Sequence, residues 1–293
     1  VLYRRPNAPV RQRGETVPPR HEPYARRVGR QCVIVAIFLA FTGATLAQAF
    51  DHSHAAYSTI LARHVVDARV DYRSLKAAPR ALDDYLDGLA NVSRAEFDQW
   101  TVPRQLAFLF NLYNAATLRL VVTHYPVKSI KDIGNWIKGP WDQDVVRLFG
   151  NRVSLNDLEH DILRKQYNEP RLHLALVCAA KGCPPLRNEA YIAPELDRQL
   201  TDQARLFLGS QAGLRIDRPS RTVWLSAIFK WYGQDFVRNH TPAKGFADLS
   251  KAERAVLSFC GRHVPVSKKR FLQAGIYSVR YLTYDWSLND RQR

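Results

Sequence analysis

The segment Val102–His124, reading VPRQLAFLFNLYNAATLRLVVTH, is hydrophobic on almost every face when wound at helical period. A helix with no polar side is a buried one, so the pattern predicts the central helix of a domain. Shorter amphipathic stretches precede it. Residues 57–64 predict a helix, residues 70–72 a brief extended piece, and Pro79 suits the first turn of a helix reaching Leu89. Ser93 with Glu96 has the spacing of a capping box for the next helix. After His124-Tyr125-Pro126 ends the central helix, a loop carrying Trp136 and Trp141 leads to two β-type runs flanking Gly150-Asn151, a hairpin signal. Ser154 and Asp157 then offer a cap for a helix to about residue 166.

Residues 172–179 are continuously apolar and predict a strand buried on both faces. Residues 194–208 alternate as an amphipathic helix closed by Gly209, Leu214–Asp217 and Thr222–Leu225 form a second hairpin-like pair, and an aromatic helix begins at Ser226. Ser250 and Glu253 cap another helix, Val266–Ala274 predicts one more, and residues 279–286 read as a closing strand. Helices and short strands interleave without a βαβ period. The expected class is therefore α+β, a single domain over residues 50–293, with the central helix packed on a small mixed or antiparallel sheet and surrounded by other helices.

The first 49 residues have a different character. Arg26, Arg27 and Arg30 precede an apolar run over residues 32–41, and Ala47-Gln48-Ala49 follows: a basic region, a short hydrophobic region and an A-x-A cleavage site, the order of a secretory signal peptide. The run is shorter than the roughly 20 residues a spanning helix needs. A cleaved leader and a periplasmic or secreted protein are expected, with an inner-membrane anchor if cleavage fails. The chain contains no Met, and a start at Val28 would leave a leader of about 22 residues with the same three regions. Of the formal net charge of +16, eight Arg against Glu15 and Glu22 belong to residues 1–49, so +10 remains on the rest. Such a surface favours an anionic envelope component as partner. The cations are scattered and no aromatic-basic motif accompanies them, so specific nucleic-acid recognition is not expected.

Chemistry concentrates in RLHLALVCAAKGCPPLR, residues 171–187, where an apolar run delivers Cys178 into a Lys-Gly-Cys-Pro-Pro turn. Lys181 beside it could lower the thiol pKa from about 8.5, although a free cysteine is more often a small buried hydrophobe. On strand alternation His173 points away from Cys178. His160, preceded by Glu159 and sharing a helix face with Asp157 and Arg164, is then the candidate base, because a histidine held by a carboxylate is what general-base chemistry requires. Asn111 and Asn114 lie in the apolar helix, where an unpaired amide costs about 1 to 3 kcal/mol. They either orient an imidazole or oxyanion or tie down a neighbouring loop. Cys178 and Cys183 could instead form a disulfide in an oxidising compartment. A zinc site on Cys178, Cys183 and His160 lacks paired ligand spacing, and neither metal nor cofactor is expected. No Walker loop, dinucleotide fingerprint, HExxH or GxSxG occurs.

The motifs FLFNLYNA, HYPVKSI, LEHDILR, HLALVCAAKGCPPLR, SAIFKWYGQDF and the terminal YDWSLND, in that order, resemble the family called domain of unknown function 547 from about residue 55 to about residue 290. The resemblance implies family positions at Asn111, Tyr113, Asn114, Glu159, His160, His173, Cys178, Cys183, Pro184 and the Lys230-Trp231-Tyr232 triplet, with departures at Leu109 and Ala180. It implies bacterial and plant relatives, often exported, and names no reaction. The expectation is a thiol-dependent hydrolase or acyl transferase acting on a small-molecule or peptide-like substrate. Cys178 is the nucleophile, His160 the base, and Glu159, Asn111 or Asn114 the orienter. Lys181, Cys183, His173, Lys230, Trp231 and Tyr232 are the binding candidates. The rival is a non-enzymatic envelope module with a Cys178-Cys183 bridge.

Overall fold

Residues 49–246 and 248–291 are described by the structure, a computed structural model. The basic leader and its apolar run therefore lie outside the described residues. Four short helices come before the long one: α1 (Ala55–His64), α2 (Tyr72–Ala77), α3 (Arg80–Ala90) and α4 (Arg94–Asp98), with a two-residue ribbon, β1 (Val65–Val66) and β2 (Arg69–Val70), between the first two. α2 was not expected. Asp71, read as extended, instead caps it by accepting from the Ser74 N–H at 3.0 Å. The Ser93 hydroxyl caps α4 through the Glu96 N–H.

α5 (Val102–His124) is the central helix, with the bounds the pattern predicts. It is long and apolar enough to cross a membrane by composition, and 89% of its most apolar window is buried inside the protein. It packs on α2, α3 and β3 (Val146–Leu148). β3 pairs antiparallel with β4 (Asn151–Val153), Leu148 opposite Asn151. The two-residue turn is Phe149-Gly150, one position earlier than the Gly150-Asn151 signal, and both residues have positive φ, 52° and 77°, as a type I′ turn requires.

Asp157–Leu163 winds with the wider spacing of a π-helix before one turn of α6 (Arg164–Gln166). The 172–179 run is not a strand. After Pro170 the chain makes a single helical turn, α7 (Leu172–Ala175), and only then extends. A short apolar run bears no period that separates buried strand from buried helix. Its Leu and Ala favour the turn over a strand, and the Leu172 and His173 N–H groups donate to Glu169 and Pro170 carbonyls.

α8 (Leu196–Gly209), β5 (Leu214–Asp217), β6 (Thr222–Leu225), α9 (Ala227–Tyr232), α10 (Val237–His240), α11 (Lys251–His263), α12 (Val266–Ala274) and β7 (Ser278–Tyr281) complete the order. β5 and β6 are antiparallel, β6 and β7 parallel, so the largest sheet is mixed. The expected closing strand is regular only over β7. Beyond it the chain runs on as an extended tail whose backbone bonds reach Lys128, Ala179, Lys181 and Val70.

Buried apolar side chains form two clusters. One surrounds α5; the other gathers the mixed sheet, α8, α9 and α11 around Phe207, Phe229, Phe236 and Phe259. The mixed sheet thus belongs to the second cluster, while α5 rests on helices and the β3–β4 hairpin. The fold is α+β with a buried central helix, as the pattern predicts.

His54, at the start of α1, is 2% exposed, and its Nδ1 lies 2.7 Å from the Tyr85 hydroxyl. Burial pushes the Tyr85 phenol well up, so it stays protonated and donates, and burial likewise pushes His54 down to about 4. A folded pKa below the unfolded value of about 6.5 means stability is fully present above that pH and is lost as pH falls toward 4. Unfolding free energy from urea titration should therefore drop between about pH 6.5 and about pH 4, by up to about 1.4 kcal/mol per pH unit for this site. A His54→Gln variant should lose part of that dependence; an unchanged slope would remove His54 as its source.

Candidate active site

The cavity that collects chemistry lies between the two clusters and encloses about 240 Å³. Its walls come from the π-helix, α5, the α7 turn, α9 and the C-terminal tail, contributing among others Glu159, Tyr113, His173, Cys178, Tyr232 and Tyr284. The apolar pattern of α5 requires its two amides to find partners, and each closes a pair of hydrogen bonds with a distant backbone. Asn111 donates to the Tyr191 carbonyl at 2.8 Å and accepts from its N–H at 2.9 Å. Asn114 donates to the Ala175 carbonyl at 3.0 Å and accepts from the Val177 N–H at 2.9 Å. The second clamp holds the chain where it leaves the α7 turn, immediately before Cys178.

The loop beyond the thiol is held from its other side by the tail. Asn289 donates to the Ala179 carbonyl, Lys181 donates to that of Ser287, and Gly182 donates to that of Asp285. A Cβ at Gly182 would stand 2.9 Å from the Asp285 backbone nitrogen, which explains the glycine. Ala179 has φ 57°, a left-handed conformation that a side chain makes unfavourable by about 1–2 kcal/mol. Strain of this kind persists only where surrounding bonds over-determine it.

Cys178 is part-exposed, and Cys183 is buried beside it; both are free, as is Cys260. The Cys178-Cys183 bridge of the rival reading is therefore not formed. Instead the Cys178 N–H donates to the Cys183 sulfur at 2.9 Å, and the Cys178 sulfur lies 3.0 Å from the Tyr284 hydroxyl. The Cys183 thiol, then the Tyr284 hydroxyl and the Ala180 N–H, stabilise a Cys178 thiolate and outweigh the cost of burial, so this thiol sits below its usual range. Burial and the neighbouring Cys178 push Cys183 up, so of the pair it is Cys178 that ionises first. Burial and both sulfurs also keep the Tyr284 phenol protonated and able to donate.

The histidine in this cavity is His173, not His160. Because residues 172–175 turn as a helix, the alternation argument that turned His173 away does not apply. Its Nε2 lies 2.7 Å from Asp235 Oδ2, its ring stacks on Tyr232 with centroids 4.0 Å apart, and its Nδ1 is buried, without a hydrogen-bond partner, 3.8 Å from Glu159 Oε1. Burial, opposed by Asp235 and Glu159, leaves its pKa below the ordinary value. Burial would raise the Asp235 carboxyl, but hydrogen bonds from His173 and Arg164 overcome that and hold it far below the usual carboxylate range. Arg164 grips Asp235 through two nitrogens at 2.7 and 3.0 Å. The site is a thiol with neighbouring donors and a neutral imidazole whose other nitrogen is anchored by a carboxylate.

His160 is outside the cavity wall. Its Nδ1 accepts from Arg164 at 2.8 Å, which occupies the lone pair a base would use. Asp157 does not hold it either, because that carboxylate accepts from the Ser154 N–H and hydroxyl at the start of the π-helix. Asn111 and Asn114 position backbone and do not line the cavity. Lys181 engages the tail through its N–H and also lies off the wall, and Lys230 is exposed, its ammonium 5.9 Å from the Tyr281 ring centre. Glu159, Cys183, His173, Trp231 and Tyr232 are brought to the cavity with Cys178. Asp235, Tyr113, Tyr284, Trp141 and Trp286 were not foreseen as site residues. Asp235 sits in the SAIFKWYGQDF motif and Tyr284 and Trp286 in the terminal YDWSLND or beside it, so the motifs held the signal but not the pairing.

Residues 97–208 match the model of a family described as protein of unknown function, DUF547. No curated protein and no solved structure matches the chain. The matched DUF547 stretch is shorter than the span of motifs suggested. It runs from α4 to α8 and holds Tyr113, Glu159, His173, Cys178 and Cys183, whereas Asp235, Tyr232 and Tyr284 lie beyond it.

Replacing Asn114 with Ala strands the Ala175 carbonyl and the Val177 N–H in the core, each at about 1–3 kcal/mol. Chemical denaturation should show a loss of at least about 2 kcal/mol. A loss near zero would mean that the clamp does not hold the segment leading to Cys178.

Proposed function

We propose that the chain is a cysteine-dependent hydrolase or acyl transferase in which Cys178 attacks, His173 moves the proton and Asp235 orients the imidazole. One observation carries this reading: a part-exposed thiol held below its usual pKa shares a cavity with a histidine whose Nε2 is fixed by Asp235 and whose Nδ1 is unpartnered. In the first step the sulfur bonds to the acyl carbon of an ester, thioester or amide. The Cys178 proton passes to His173 Nδ1 and from there to the departing oxygen, sulfur or nitrogen as its bond to the acyl carbon breaks. Asp235 and Glu159 flank the imidazolium that forms, which supports the transient charge. In the second step His173 takes a proton from water or an acceptor as its oxygen or nitrogen bonds to the acyl carbon, the carbon–sulfur bond breaks to release the acid or acylated product, and the proton passes from His173 to Cys178.

The Tyr284 hydroxyl and the Ala180 N–H, donors to the sulfur in the resting state, are the groups nearest to hand for the oxygen that becomes negative in each step. Trp141, Trp231 and Trp286 give the cavity an aromatic side, suited to the apolar flank of a small-molecule or peptide-like acyl group. On the strength of the leader pattern, we place this chemistry in the periplasm or outside the cell.

Iodoacetamide labelling across pH, with peptide mapping, tests the assignment on the intact chain. Cys178 should label with an apparent pKa lowered from that of an ordinary cysteine, while Cys183 and Cys260 stay protected by burial. His173→Gln should slow release of nitrophenol from a nitrophenyl ester by about 100-fold or more, His160→Ala should leave it unchanged, and Tyr284→Phe should raise the apparent pKa of labelling. Equal esterase rates for the His173 variant and the parent would end the reading.

A further inference from the structure

The excess positive charge of residues 50–293 is not spread over them. Residues 50–204 hold 19 Lys and Arg and 19 Asp and Glu, whereas residues 205–293 hold 16 against 6. The whole surplus therefore lies in the segment that builds the mixed sheet, α11 and α12. In the first part ten of the 19 cations sit in ion pairs, such as Arg119–Asp83 and Arg171–Glu169. Among the described residues, no cation after Arg205 has a carboxylate oxygen within 4.0 Å.

Six of these cations gather on the outer side of the mixed sheet and on α12. The strand register aligns Arg215, Trp224 and Arg280 side by side on the solvent face of the sheet, with both guanidinium groups over the indole at 5.0 and 5.7 Å. From the β5–β6 turn, Arg218 donates to the Ser267 carbonyl and stacks over Phe271, which joins that face to α12. α12 buries only Leu272 and carries Lys268, Lys269 and Arg270 in succession. At its two ends Val266 and Ile276 are 63% and 67% exposed. On the other side of α12, a recess of about 370 Å³ is lined by Lys244, Arg262 and Lys269 with no carboxylate.

We infer that this face, α12 with the outer side of the mixed sheet, docks on an anionic phospholipid bilayer. Unpaired cations attract the surface charge of such a bilayer, and aliphatic side chains flanking a basic helix enter the acyl boundary. Trp224 between two arginines suits the headgroup level. A nucleic acid would use the cations but has no use for Val266 and Ile276, which is why a lipid surface is the better match.

Co-sedimentation of the full chain with vesicles of phosphatidylcholine containing about 30% phosphatidylglycerol reads this directly. The parent should bind these and not pure phosphatidylcholine. Exchanging Lys268, Lys269 and Arg270 for Gln should weaken partitioning about 100-fold, about fivefold per cation, and Val266→Ser with Ile276→Ser should weaken it at constant charge. The same exchange at exposed Arg73, Arg80 and Arg104, in the evenly balanced part, should cost much less. Equal losses from both triple variants, equal binding to neutral vesicles, or binding to single-stranded DNA indifferent to Val266 and Ile276 and tighter than to vesicles would each overturn the proposal. The esterase rate of the α12 variant on a soluble ester should be unchanged, so failure of docking and failure of the catalytic reading are told apart.

Discussion

The rest of the structure depends on satisfying two amides in the middle of a helix that has no wet side. Asn111 and Asn114 are 1% and 2% exposed, and α5 offers them nothing but its own paired backbone. Each therefore takes both a carbonyl and an N–H from another part of the chain. That requirement ties the core to the site: the segment anchored by Asn114 is the one that ends at Cys178. Buried polar groups of this sort specify one arrangement because any other leaves several of them unpaired.

From the other direction the C-terminal tail closes the same loop. It brings Tyr284 to the sulfur and Trp286 to the wall, and Asn289 donates to the carbonyl of the left-handed Ala179. The cavity thus sits where three remote parts of the sequence converge, α5 with the π-helix, the 172–183 loop, and the 226–290 segment. The π-helix has its own consequence. Within it Glu159 stands on the cavity side while His160 faces Arg164, so adjacent residues that looked like one functional pair serve different neighbours. Wide turns of this type recur at functional sites.

The two histidines illustrate how far spacing carries. His160 had a carboxylate and an arginine at helical distances, which is the pattern of an oriented base, and Arg164 does reach it. His173 had no sequence neighbour to recommend it. Its anchor, Asp235, lies 62 positions away, and only the approach of α9 and the turn after it toward α7 brings the two together. Arg164 grips Asp235 through two nitrogens and meets His160 with the third, so His160 lies beside the network that holds the carboxylate without touching the carboxylate itself.

Local chemistry determined much of this protein. The all-round apolar character of residues 102–124 set α5, the caps at Ser93 and Ser250 set the starts of α4 and α11, and the paired runs in residues 214–225 set the hairpin of the mixed sheet, because each of these depends on neighbours within a few residues. The thiol in its turn and the clamping need of the two asparagines were legible for the same reason. The structure of 172–175, the choice of His173 over His160 and the convergence of Asp235 and Tyr284 were not. A short apolar run suits a buried helix and a buried strand equally, and which imidazole faces a thiol is settled by packing between segments that the sequence keeps far apart.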